Sequence, residues 1–186
     1  MTFIVKRGYD IPLAGKPSTD VAEVASSATV VVCPLEFEGI KQRLKISEGD
    51  VVRQGSELME DKAHPAFKLR APAGGTVVEI VRGARRFVEK IVIKVDPASQ
   101  PEFFQKFSPD AIASLDRQVV LDQLVTTGAL SLIRQRPFSA MADVSATPKS
   151  IFVNAMNTGP FQADAETVVA DDPAAFQAGL DLLSCL

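Results

Sequence analysis

The sequence predicts a β-rich unit over residues 1–97 followed by an α/β unit over residues 98–186. Three observations carry this reading. The stretch from Glu48 to Ile80 is short apolar strands punctuated by glycines at 49, 55, 74 and 75, the residue type that tolerates sharp reversals. Asp96-Pro97-Ala98-Ser99-Gln100-Pro101 then stops the strand period with two prolines and small polar residues, the composition of a domain boundary. Beyond it the apolar period lengthens: Leu121, Leu124, Val125 and Gly128 recur at helical spacing.

Taken in order, Phe3-Ile4-Val5 begins a short strand, and Lys6 to Gly15 is a connection broken by Pro12 and two glycines. Ala28 to Cys33 is β-branched and reads as a buried strand stopped by Pro34. Leu44-Lys45-Ile46 alternates into the Gly49 turn, and Val51-Val52 runs on to the Gly55 turn. Ser56 to Ala63 and Phe67 to Arg70 form a hairpin turning at His64-Pro65-Ala66, because Pro65 suits a turn and not a central strand. Pro72 to Gly75 reverses the chain again, with positive φ expected at its glycines and at Gly83. Thr76 to Val81 and Phe87 to Val95 are strands joined by the basic turn Arg82 to Arg86, a solvated loop tip with the chemistry to meet an anionic surface.

In the second unit Ser114 is the expected N-cap of the first helix, and Leu130 to Gln135 a second short helix. Met141 to Lys149 is loop, Ser150 to Ala155 a short buried strand, and Met156 to Pro160 a turn. Asp172-Pro173 pairs an N-cap with an N1 proline and opens a last helix with Phe176, Leu180 and Leu183 on one face. That helix reaches Leu186 without a C-cap glycine, so the polypeptide is expected to continue.

Composition narrows the function. With 186 residues, 46% hydrophobic and 23% charged, the chain is an ordinary globular protein. A net charge of −3 gives no basic footprint for nucleic acid. No apolar run is long enough to cross a bilayer, and the N-terminus lacks the apolar core of a signal peptide. Cys33 and Cys185 have no companions at metal spacing and are expected to be reduced, buried thiols, so no metal site is predicted. One histidine, His64, and scattered carboxylates form no nucleophile–base constellation, and no catalytic residue is assigned.

The run Glu48-Gly49-Asp50-Val51-Val52-Arg53-Gln54-Gly55, Leu58, then Ala71-Pro72-Ala73-Gly74-Gly75-Thr76-Val77 resembles the barrel-sandwich hybrid module of biotinyl and lipoyl carriers. That resemblance implies a lysine at the hairpin tip about six residues before the second-turn proline. Ala66 stands there, and Lys62 lies ten residues before Pro72. A module of carrier shape without the carrier lysine is expected to dock or to serve as a rigid part, with Lys62 a surface residue paired to nearby carboxylates. The rival readings are a carrier modified at Lys62 and a free-standing protein-interaction scaffold.

The order Lys6 to Gly15, the module, Arg134-Gln135-Arg136-Pro137-Phe138-Ser139, and Ile151-Phe152-Val153-Asn154-Ala155-Met156 is similar to the A-subunit family of sodium-translocating NADH:quinone oxidoreductases, across essentially the whole chain. The resemblance implies a peripheral component on the cytoplasmic face of the inner membrane. It implies contact with the membrane only through the other pump subunits, and ubiquinone as a substrate of the complex. Asn157 departs from the aspartate usual in the family. The second unit resembles, more distantly, the flavin-binding subunits of complex I. Their glycine-rich loop is replaced here by Thr127-Gly128-Ala129-Leu130-Ser131-Leu132-Ile133-Arg134, and their acidic residues by Met156, Asn157 and Thr158. A phosphate cradle needs successive backbone N–H groups free of side-chain crowding. Leu130 and Leu132 obstruct one, so neither FMN nor NADH is expected on this chain, nor any other redox cofactor. Arg134, Arg136 and Phe138 are the residues expected to meet a quinone head group or a partner carboxylate, since guanidinium donates paired hydrogen bonds beside an aromatic ring. A structural salt bridge is the alternative.

Overall fold

A computed structural model describes residues 13–186, apart from positions 16, 19, 38, 157 and 158. The strand expected at Phe3 to Val5, most of the connection that follows it, and Asn157 lie outside the described residues.

The first unit is two antiparallel sheets packed face to face. One has the order β1-β7-β6-β3, from Thr29–Val32 (β1), Val88–Val95 (β7), Gly75–Arg82 (β6) and Val51–Val52 (β3). The other is β2-β4-β5, from Gln42–Leu44 (β2), Glu57–Asp61 (β4) and Lys68–Arg70 (β5). Val77, Ile91 and Ile93 from the first sheet meet Leu58, Met59 and Leu69 from the second in a shared core, where each buried aliphatic side chain contributes roughly 1.5–3 kcal/mol.

Alternation alone places only one of Leu58 and Met59 in the core, yet both are fully buried. A register shift between Glu57 and Met59 explains it, since a bulge turns two successive side chains toward one face. Gly75 is required by close approach, because a Cβ there would collide with the carbonyl of Lys94 on β7. Gly83 differs from expectation: its φ is −92°, and the left-handed residues of that turn are Arg85 and Arg86. β1 forms within the predicted stretch, but as an edge strand it buries only Val32 and leaves Val31 exposed.

Residues 96–108 carry no helix or strand but are fastened to the first unit. The Glu102 N–H donates to the Gln54 carbonyl (2.8 Å), and the Ser56 hydroxyl donates to the Glu102 carboxylate (2.7 Å).

The second unit departs from several sequence expectations. A one-turn helix, Pro109–Ile112 (α1), precedes the expected first helix and occupies the approach to Ser114. The cap of the next helix, Arg117–Thr127 (α2), is therefore Asp116, whose carboxylate accepts from the Gln118 N–H. Its deepest residues are Val120 and Leu121, and Gly128 is its left-handed C-cap, not a member of its apolar face. Leu130 to Gln135 is not a helix. A 3-10 turn over Ala129–Leu132 is followed by Arg134–Gln135 (β8), which pairs with Ala140–Met141 (β9). Pro137 ends any helix there, and the apolar side chain of Met141 packs against the core.

Ser150 to Ala155 is not a buried strand in this structure, since no described strand pairs with it and Phe152 is 88% exposed. A short helix over Ala165–Val169 (α3) was not anticipated. The last helix, Pro173–Ser184 (α4), begins as predicted, with the Asp172 carboxylate accepting from the Ala175 N–H at 2.8 Å. Both cysteines are free and half-buried rather than buried.

Candidate functional site

β8 and β9 form a hairpin whose turn spans residues 136–139, with Ser139 left-handed. This turn leaves Arg136 exposed and Phe138 90% exposed. Arg134 sits lower, on the strand, with its guanidinium carbon 6.0 Å from the centroid of the Phe37 ring. Phe37 leans in turn on Phe67, at 5.5 Å between centroids. The three predicted residues thus share one hairpin but divide in role: Arg134 is held over an aromatic of the first unit, and Arg136 and Phe138 are free to meet another molecule. Among the described residues neither arginine is in an ion pair, so the salt-bridge alternative finds no carboxylate here.

The hairpin lies beside the β4–β5 tip, where the residues that imitate a carrier motif have structural partners. Glu60 accepts from Arg43, its cross-strand neighbour, and from Lys45, both at 2.9 Å. The Lys45 hydrogen bond foremost, with Arg43 assisting against the opposing pull of burial, holds the Glu60 carboxyl below the usual glutamate range. Asp61 is buried, and its Oδ1 accepts from the N–H groups of Lys41 and Ala63, each at 2.9 Å. Lys62 is exposed in the bend that follows β4. Its backbone N–H donates to Lys41, but its ammonium pairs with no carboxylate among the described residues, contrary to the pairing expected for it.

His64, at the tip, borders a cleft of about 290 Å³ shared with Asp61, Phe67, Leu130, Met141 and Asp143. Asp143 accepts from the backbone N–H and hydroxyl of Ser145, and these bonds, with a smaller pull from His64, keep its carboxyl low. The tip of the carrier-shaped module thus shares a cleft with residues 140–144 of the second unit, while residues 62–65 stay exposed. Among the described residues no His, Cys, Asp and Glu side chains cluster as a metal site.

The segment in place of a glycine-rich loop leads out of the C-terminal end of α2, where carbonyls and not N–H groups are left over. Gly128 N–H donates to Val125, Ser131 N–H to Gly128 and Ile133 N–H to Leu130, so these amides are already occupied. Leu130 is buried beneath them, and Leu132 is exposed. The residues present do not fit a flavin or nucleotide phosphate.

Sequence reasoning missed the junction between the units. Arg70 on β5 donates to the Gly55 carbonyl at 2.6 Å, lies 3.8 Å from the Glu102 carboxylate, and stacks 5.1 Å from the centroid of Phe104. Its Nε is buried without a partner. Gly128, with φ 79°, sits against β5 so closely that a Cβ would lie 2.9 Å from the Lys68 carbonyl. Nothing in the spacing of Arg70 announces this, because its partners come from 15 and 32 residues away.

Residues 3–96 match a family model described as the NqrA N-terminal barrel-sandwich hybrid domain, and residues 115–186 match the NqrA second alpha/beta domain. The chain is 38% identical over 182 residues to proteins named as the A subunit of Na(+)-translocating NADH-quinone reductase in Vibrio vulnificus (strain YJ016) and Pasteurella multocida (strain Pm70). The corresponding protein of Marinomonas sp. (strain MWYL1) is similar to the same degree. Each alignment covers 98% of this chain and 41% of the relative, so the chain spans about two-fifths of the relatives' length. With both of its units matched in order, the chain belongs to the NqrA family, the A subunits of the Na(+)-translocating NADH-quinone reductases, and corresponds to the N-terminal portion of its members.

Proposed function

We propose that this chain works as part of a peripheral subunit of a sodium-pumping NADH:ubiquinone oxidoreductase, on the cytoplasmic face, docking against other subunits and holding no redox cofactor of its own. The exposed Arg136–Phe138 tip is its contact for a quinone head group or a partner carboxylate. The observation that carries this reading is the combination at one end of the molecule: a carrier-shaped hairpin whose tip shares a cleft with the second unit, beside a second hairpin that presents an arginine with no ion-pair partner among the described residues and a bare aromatic ring. A bare phenylalanine two residues after an exposed arginine is costly in water and suits a surface buried on assembly. Among the described residues no helix is long and apolar enough to cross a membrane, which accords with attachment through partners.

The test is co-purification of the chain with the membrane subunits of the pump, together with labelling by a photoreactive ubiquinone analogue. The reading expects co-purification, and label or protection within residues 134–141. A flavin absorption spectrum in the purified chain, or an intact mass carrying a tethered group on Lys62, overturns it.

A further inference from the structure

The four-stranded sheet has one face on the core, and its register shows which residues turn away from it. The row Val30–Ile93–Val77 points inward, with Ile93 and Val77 fully buried. The rows on either side therefore face out, since side chains alternate along a strand. One is Thr29–Lys94–Thr76–Val51 across all four strands, and the other is Val31–Val92–Glu79. The next outward pair is Val81–Lys90. Val78, the extra residue of the bulge beside Glu79, is 48% exposed, and Val31 is 49% exposed. A valine row thus crosses the solvent face with a lysine in the row on each side. Past Lys90, the β6–β7 turn adds Arg82, Arg85 and Arg86, all exposed. Arg85 and Arg86 are both left-handed, with φ 56° and 61°, a conformation unfavourable to any residue but glycine and one that tends to persist at functional sites.

Residues 75–95 hold five cationic and two acidic side chains, in a chain whose net charge is −3. Among the described residues none of the five cations is in an ion pair. The Glu89 carboxylate is turned against Gly83, where it fills the place a Cβ would take. Glu79 is then the one carboxylate on the outward rows. We propose that this face is a second docking surface and takes an acidic amphipathic segment of another subunit. Apolar side chains of that segment lie along Val31, Val92 and Val78, and its carboxylates meet Lys90, Lys94 and the arginine turn. The proposal rests on the reading of this chain as a docking subunit, and uses a surface separate from the Arg136–Phe138 tip. Charge complementarity selects the occupant. A second copy is the poorer one, because a two-fold contact sets the five cations of one chain against the five of the other. A layer of lipid headgroups meets the cations but leaves the valine row against polar groups, so a polypeptide with its own apolar ridge fits better.

The test co-purifies the chain with the membrane subunits of the pump and treats the assembly with a water-soluble carbodiimide, which joins a lysine to a carboxylate in direct contact. Mass spectrometry should find Lys90 or Lys94 bonded to an aspartate or glutamate of another subunit. Lys90→Glu combined with Lys94→Glu should weaken co-purification at least about 10-fold and flatten its salt dependence. Its melting temperature should match the parent's, since both lysines are exposed and in no ion pair among the described residues. Equal retention of the double variant and the parent overturns the proposal and leaves the docking reading standing. A parent chain that itself fails to co-purify overturns both. Crosslinks from Lys90 and Lys94 confined to a second copy overturn the proposal and assign the face to self-association. So does binding of the chain alone to phosphatidylglycerol vesicles that the double variant loses, which assigns the face to lipid.

Discussion

Replacing Arg70 by methionine keeps the aliphatic stem and removes the guanidinium that joins the two units. The hydrogen bond to the Gly55 carbonyl at 2.6 Å has a charged donor and contributes about 1.5–3 kcal/mol. Stacking on Phe104 at 5.1 Å adds about 1–2 kcal/mol for a head group whose side chain is only 14% exposed. The Glu102 carboxylate, 3.8 Å away and 36% exposed, adds about 0–1 kcal/mol. Against these stands the unpartnered Nε, whose burial costs about 1–3 kcal/mol and is relieved by the substitution. The balance is a destabilisation of about 2 kcal/mol, a fall in Tm of about 4–8 °C for a chain of this size. Calorimetry gives the Tm, and hydrogen exchange at Glu102 N–H shows whether residues 101–105 come loose first. An R70M variant within about 0.5 kcal/mol of the parent, or more stable than it, refutes the reasoning and shows the buried guanidinium to be a net cost.

Gly128→Ala forces a Cβ to 2.9 Å from the Lys68 carbonyl at a φ of 79°, and should cost about 2–4 kcal/mol in urea unfolding, the left-handed penalty plus displacement of α2 from β5. Phe138→Ala should leave stability within about 0.5 kcal/mol, while quinone or partner binding falls by roughly 10–30-fold if the ring is a centre of the contact; unchanged binding removes the residue from the site. Glu60 has its folded pKa depressed, so its contribution is complete above the unfolded pKa and is lost as pH falls through the folded value. The acid limb of a stability–pH curve should therefore flatten in Glu60→Gln below the normal glutamate range, with no change in slope near neutrality; an unaltered acid limb counts against the Lys45 and Arg43 bonds.

The first unit was legible because its determinants are local. Gly49, Gly55 and Gly75 fix reversals, Pro65 fixes the hairpin turn, and the apolar residues between them leave few ways to pair. What escaped was the bulge that buries Leu58 beside Met59, because a register shift depends on the partner strand and leaves no mark on its own. In the second unit the errors share a cause. Asp116 displaced Ser114 as cap because Pro109 had already started a turn upstream, and Pro137 cut short the helix expected through Gln135. Periodicity reports that a helix exists; the caps that end it compete within a few residues.

The site divides along the same line. That Arg134, Arg136 and Phe138 stand together followed from their spacing around one proline, and the hairpin brings them out on one projection. That Arg134 is engaged with Phe37 and Arg136 is not had to wait for the fold, since Phe37 lies 97 residues earlier. The same long-range packing sets the surroundings of the carrier-like hairpin. His64, itself exposed, faces Asp143 and Met141 across a shared cleft. Glu60 and Asp61, which imitate the flank of a modifiable lysine in sequence, are consumed by Lys45, Arg43 and two backbone amides. Local resemblance thus identifies the module, and only the fold shows which residues of the rest of the chain stand beside its tip.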